Sequence, residues 1–165
     1  MADTRLVHPN REKSESKSTK AAVVLLLITS AALIAIVTIG GWSQLVGAHI
    51  VAIVYVGVYL LMAYYVKDWV RGVLPVAAGM AILFAVVAAV AGPAWFARDK
   101  TGFEESLLPP SILGLLTLII IPVQLLLIAF SMRDFQQKWN VEIEESADGA
   151  DHSGGSEYRG EPSPA

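Results

Sequence analysis

Three long stretches of this chain contain no Asp, Glu, Lys or Arg. They cover residues 21–66, 72–97 and 106–132, which is 46, 26 and 27 residues when both ends are counted. A helix rises about 1.5 Å per residue, so a bilayer core of about 30 Å needs roughly 20 apolar residues for one crossing. A soluble domain of 165 residues could not bury so much uninterrupted apolar chain, whereas a bilayer can. The sequence therefore predicts an all-α membrane protein.

The first of these stretches is long enough for two crossings, and paired glycines with polar neighbours at residues 40–44 indicate a turn inside it. A charge near the centre of a span would add about 2.5–3.5 kcal/mol to insertion, so the absence of internal charges favours insertion. We predict a transmembrane domain over residues 21–132. Its four transmembrane helices are expected at residues 21–40, 45–66, 73–96 and 111–132.

Small residues are expected to hold the spans together. Lipid is as apolar as leucine, so helices associate in a membrane through close approach of small side chains and through interhelical hydrogen bonds. The third span carries such a stripe at Ala77, Ala81, Ala85, Ala88 and Gly92. The fourth span presents a second one, with polar members, at Gly114, Thr117, Gln124 and Ser131. These spacings of three, four and seven favour left-handed seams in an antiparallel four-helix bundle.

The distribution of lysine and arginine predicts the orientation. If both termini are cytoplasmic, ten of these residues lie inside and two lie outside, which satisfies the positive-inside rule. The outer pair is Arg98 and Lys100. We predict a multi-pass protein of the plasma membrane. A cleaved signal peptide is the alternative, since residues 46–48 resemble a cleavage site, but the preceding apolar stretch exceeds the usual core of about 7–15 residues.

Polar segments flank the spans. Residues 1–20 are basic and rich in serine, and residues 133–165 contain an interfacial extension followed by an acidic tail. Such segments have too little apolar surface to offset the entropy of ordering, so we predict disordered polar termini. Tryptophan prefers the headgroup level of a bilayer. Four tryptophans fall at the predicted ends of spans and are expected to be interfacial anchors: Trp42, Trp69, Trp95 and Trp139.

Depth arithmetic places two polar side chains at one level of the bundle. Tyr59 is fourteen residues from the start of the second span, and Gln124 is thirteen from the start of the fourth, which runs in the same direction. We predict a buried polar layer containing this pair. Thr29 reaches the same depth but lies half a rotation from Thr38 in the small-residue stripe of its helix, which argues against it as a third member.

The sequence holds little that indicates catalysis. There is no cysteine, and His49 is the one histidine inside a span. His49 is a candidate pH-sensitive residue, with contact to interfacial water as the alternative. No nucleophile–base pair or metal-ligand spacing is visible, so we expect no enzyme activity, cofactor, bound metal or nucleic-acid partner.

The expected partners are the lipid bilayer and other membrane protein subunits, or a second copy of the chain. The predicted role is an accessory or scaffold subunit of a membrane complex. The alternative is an oligomeric channel, a holin-like pore or a small-solute transporter.

Overall fold

The computed structural model describes residues 4–98, 100, 106–139 and 141–146. Within these ranges the chain is almost entirely helical. The elements are β1 (Thr4–Val7), α1 (Pro9–Glu12), α2 (Ser14–Gly40), a 3-10 turn (Trp42–Gln44), α3 (Ala48–Lys67), α4 (Val73–Ala97), α5 (Pro110–Gln136) and β2 (Ile143–Ser146).

Four of these helices, α2 to α5, are long and apolar enough to cross a membrane. Two of the predicted span boundaries coincide with helix ends, because α2 ends at Gly40 and α4 begins at Val73. The polar ends of the first and fourth long helices differ from the predicted boundaries. Helix α2 begins at Ser14, seven residues before the predicted span, and α5 continues to Gln136, four residues beyond it.

The structure differs from the predicted disorder of the termini where it describes them. Ser16 and Thr19 are buried in the first turns of α2, and the hydroxyl oxygen of Thr19 lies 3.1 Å from Oε1 of Gln137. Each polar end thus packs against the other, which provides contacts that composition alone does not reveal. Residues 1–3 and 147–165 of the predicted tails lie outside the described residues.

The two chain ends also meet in a ribbon. β1 pairs antiparallel with β2, with Thr4 opposite Ser146 and Val7 opposite Ile143. Between β1 and α2, Arg11 Nε donates a hydrogen bond of 3.1 Å to the carbonyl oxygen of Trp139. We call β1, α1, β2 and residues 137–139 the terminal cap.

The helices pack unevenly. Helices α4 and α5 form the closest pair, because glycines allow their backbones to approach: a Cβ on Gly92 would overlap Leu118, and one on Gly114 would overlap Phe96. Helix α2 packs against α3 and α5, whereas α3 and α4 touch each other little. The predicted stripes face inward. Their buried members are Ala77, Ala81, Ala88, Gly92, Gly114, Thr117, Gln124 and Ser131.

Contacts between helix termini define two ends of the molecule. At the cap end, Lys20 Nζ donates to the carbonyl oxygen of Lys67 at 3.1 Å, and Arg71 Nε donates to that of Phe135 at 2.8 Å. At the opposite end, which we call the loop end, the backbone N–H of Leu108 donates to the carbonyl oxygen of Gly40 at 3.1 Å.

Candidate functional site

A chain of hydrogen bonds crosses the interior between α2, α3 and α5. The Tyr59 hydroxyl donates to Oε1 of Gln124 at 2.9 Å. Nε2 of Gln124 donates to the hydroxyl oxygen of Ser30 at 3.0 Å, and the Ser30 hydroxyl donates to the carbonyl oxygen of Leu26 at 2.7 Å. All three side chains are completely buried. We call Ser30, Tyr59 and Gln124 the polar chain.

The predicted pair is therefore joined directly, but the third member is Ser30 and not Thr29. Neighbouring residues on a helix differ by about 100° in direction. Thr29 is half-buried, while Ser30 faces α5 and reaches the amide of Gln124. The depth argument located the correct level, but the rotation of α2 about its axis, which its packing against α5 decides, selects Ser30.

His49 lies in the first turn of α3 at the loop end. Its side chain is half-buried, with Nδ1 3.1 Å from the carbonyl oxygen of Leu45. Because a carbonyl accepts, Nδ1 carries the hydrogen in this arrangement. The ring centroid lies 4.7 Å from that of Trp42. A pH-sensing role for His49 stays a prediction.

The four tryptophans lie at helix ends, as predicted, but they differ in the direction they face. Trp42 is 52% exposed and Trp69 is half-buried. Trp95 and Trp139 are core residues, with 2% and 0% of their surfaces exposed, so the structure does not place them as lipid-facing anchors. The ring of Trp139 packs edge-to-face on Trp69 at 5.1 Å. A helix terminus determines the depth of a side chain, but packing determines whether it faces lipid or protein.

An acidic residue that the sequence reasoning missed lies at the cap end. Asp134 is completely buried, and neither of its carboxylate oxygens has a well-formed hydrogen bond among the residues that the structure describes, although the side chain of Thr19 lies close enough to interact with it. The buried hydroxyl of Ser131 is unpartnered within those residues. The positive charges nearby are Lys20 and Arg133. Asp134 follows Ser131 by three residues, so it shares the face predicted to be buried, and this spacing was a usable signal.

The comparisons give no match. No protein-family model, curated protein or solved structure is significantly similar to this chain.

The geometry of the polar chain favours a structural role. The O–H protons of Tyr59 and Ser30 are both donated within the protein, so the polar chain has no free hydroxyl donor to offer a ligand. Within the described ranges, no group of three or more His, Asp or Glu side chains could hold a metal ion. The polar chain ties three helices together at one level.

Proposed function

We propose that this protein is a four-span plasma-membrane protein that acts as an accessory or scaffold subunit of a larger membrane complex. The polar chain is the observation that carries the proposal. Its hydrogen bonds join α2, α3 and α5, and both of its hydroxyl protons are donated within the protein. Such a core suits a rigid subunit that presents its outer faces to lipid and to partners.

The exposed surface supports placement in a bilayer. Large apolar side chains on all four long helices are more than half exposed, including Leu25 (65%), Val54 (57%), Val90 (71%) and Leu125 (58%). Monomeric soluble proteins rarely expose contiguous apolar patches of more than a few hundred Å². In a membrane, these faces contact lipid at no cost.

An antiparallel bundle with both termini in the cytoplasm accounts for the contacts at the two ends. The paired strands bring the N- and C-terminal segments together at the cap end, where Lys20, Lys67 and Arg133 also lie. Arg98 and Lys100 follow the end of α4 at the loop end. Placing the cap end inside agrees with the positive-inside rule.

Topology can be tested with single cysteines, since the chain has none. We expect an impermeant maleimide added to intact cells to label Lys100→Cys and to leave Lys17→Cys and Gln136→Cys unlabelled until the cells are lysed. All three native side chains are exposed. Equal labelling of Lys17→Cys and Lys100→Cys in intact cells would contradict the proposed orientation. Release of the protein by an alkaline carbonate wash would contradict membrane insertion.

The subunit role needs a separate experiment. We expect purification in mild detergent, followed by mass spectrometry and reciprocal purification, to recover the same partner at fixed stoichiometry. Deletion of this protein should then lower the amount of the assembled partner. A homo-oligomer that makes liposomes permeable to ions or dye would support the channel or transporter alternative and contradict the subunit role.

A further inference from the structure

An apolar cavity of about 290 Å³ lies among the four long helices toward the loop end. Ile34 and Ile120 form its inner wall, one helical turn from Ser30 and Gln124 of the polar chain, and both are buried. Val51 of α3 and Val87 of α4 lie at its rim and are 58% and 52% exposed. Helices α3 and α4 make few contacts, one of them between the rings of Tyr55 and Phe84 at 4.9 Å, and the exposure of Val51 and Val87 indicates that the cavity opens between the two helices.

The lining is almost entirely apolar. Its two hydroxyl side chains are Thr38 and Thr117, and each donates to a carbonyl oxygen of its own helix at 2.7 Å, to Ile34 and Leu113 respectively. Ligand sites for polar molecules normally carry a few polar groups aimed inward that fix orientation. A cavity whose hydroxyl protons are already donated to the backbone suits a hydrocarbon chain.

A positive charge stands at the loop end of the cavity. Trp95 is part of the lining, and the guanidinium carbon of Arg98 lies 5.0 Å from the centroid of its ring. Within the part of the chain that the structure describes, Arg98 forms no ion pair. Guanidinium groups bind phosphate through paired, charge-assisted hydrogen bonds. The ring of Trp95 is held beside Gly41, where any added Cβ would overlap it.

We propose that the cavity between α3 and α4 binds one acyl chain of a membrane phospholipid, with the phosphate of that lipid held by Arg98. The proposal rests on the proposed placement in a bilayer. A sideways opening in a transmembrane bundle faces lipid tails, so the occupant can enter without crossing water. Arg98 follows the lining residues along α4. A phospholipid with its tail in the cavity would therefore have its headgroup near Arg98.

Native mass spectrometry of the full-length protein in mild detergent tests the proposal with two matched substitutions. Ala91 lines the cavity, whereas Ala89 on the same helix is exposed. We expect the wild type and Ala89→Leu to retain one phospholipid per chain. Ala91→Leu should retain about tenfold less, because the larger side chain would fill part of the cavity and oppose binding of the acyl chain. Arg98→Gln should lower phospholipid retention while leaving thermal stability unchanged.

A second measurement covers the case in which Ala91→Leu does not fold. Wild-type protein is reconstituted in phospholipid with brominated acyl chains, which quench tryptophan on contact. The Trp95 contribution is obtained by subtracting the signal of Trp95→Phe. Trp95 is only 2% exposed, so the surrounding lipid has little access to it. We therefore expect it to be quenched through an acyl chain in the cavity.

Four results would overturn the proposal. These are equal lipid retention by Ala89→Leu and Ala91→Leu, an unquenched Trp95, a retained fatty acid without phosphate, or a protein dimer in place of the lipid. Each of them can occur with the protein firmly inserted in the membrane. Release by an alkaline carbonate wash would instead show that the bilayer placement itself is wrong, so the two failures can be distinguished.

Discussion

Replacing Gln124 by leucine tests whether the polar chain stabilises the bundle. The substitution keeps a side chain of similar size but removes the acceptor for Tyr59 and the donor to Ser30. Interhelical hydrogen bonds in membranes average about 0.6 kcal/mol each in double-mutant cycles. Two lost bonds, with a buried Tyr59 hydroxyl left without an acceptor, should lower the free energy of unfolding by about 1–2 kcal/mol. That is a factor of about 5–30 in the ratio of folded to unfolded protein.

Unfolding can be followed by titrating SDS into mixed micelles, with tryptophan fluorescence as the signal. Gln136→Leu is the matched control, because Gln136 is on the same helix and exposed; its effect should stay within about 0.5 kcal/mol. A double-mutant cycle with Tyr59→Phe isolates one hydrogen bond. We expect a coupling energy of about 0.6 kcal/mol and at most about 1.7 kcal/mol.

The reasoning fails if the cycle gives no coupling between Tyr59 and Gln124, or if Gln124→Leu and Gln136→Leu unfold at the same SDS fraction. Either result would mean that the hydrogen-bonded chain contributes nothing to the stability of the bundle. The proposed scaffold role would then lose its main support.

Two further predictions concern packing and buried charge. Gly92→Ala should lower the thermal midpoint in detergent because the new Cβ would overlap Leu118, whereas Gly79→Ala, on the same helix with open space around it, should not lower it; equal midpoints would contradict the close approach of α4 and α5. Asp134→Asn should raise the midpoint at pH 8, because burying a charged carboxylate is costly and the amide carries no charge. A lowered midpoint would show that Asp134 is compensated by the charge of Lys20.

The spans could be predicted from the sequence because the cost of burying charge in hydrocarbon applies to each residue separately. Three stretches without charge, the first divided by the glycine turn, located four apolar helices with boundaries close to those of α3 and α4. The same stretches could not reveal that α2 begins at Ser14. A polar helical turn is stabilised by its neighbours in the fold, and local composition does not show them. Those neighbours include Gln137, which is distant in sequence.

The candidate site was predictable in depth but not in direction. Counting residues along two helices brought Tyr59 and Gln124 to one level, since the rise per residue is constant. Choosing Ser30 over Thr29 required the rotation of α2 about its axis, which packing against α5 decides.

By itself, the sequence determined which segments form long apolar helices and the level of each side chain along its helix, since both follow from local composition and helix geometry. Tertiary structure alone decided that Trp95 and Trp139 turn inward, that Asp134 is buried, and that a cavity remains between α3 and α4. The physical reason is that rotation and lateral contact depend on the fit of all four helices together. Close packing through glycines in α4 and α5 brings that pair together, whereas α3 and α4 make few contacts.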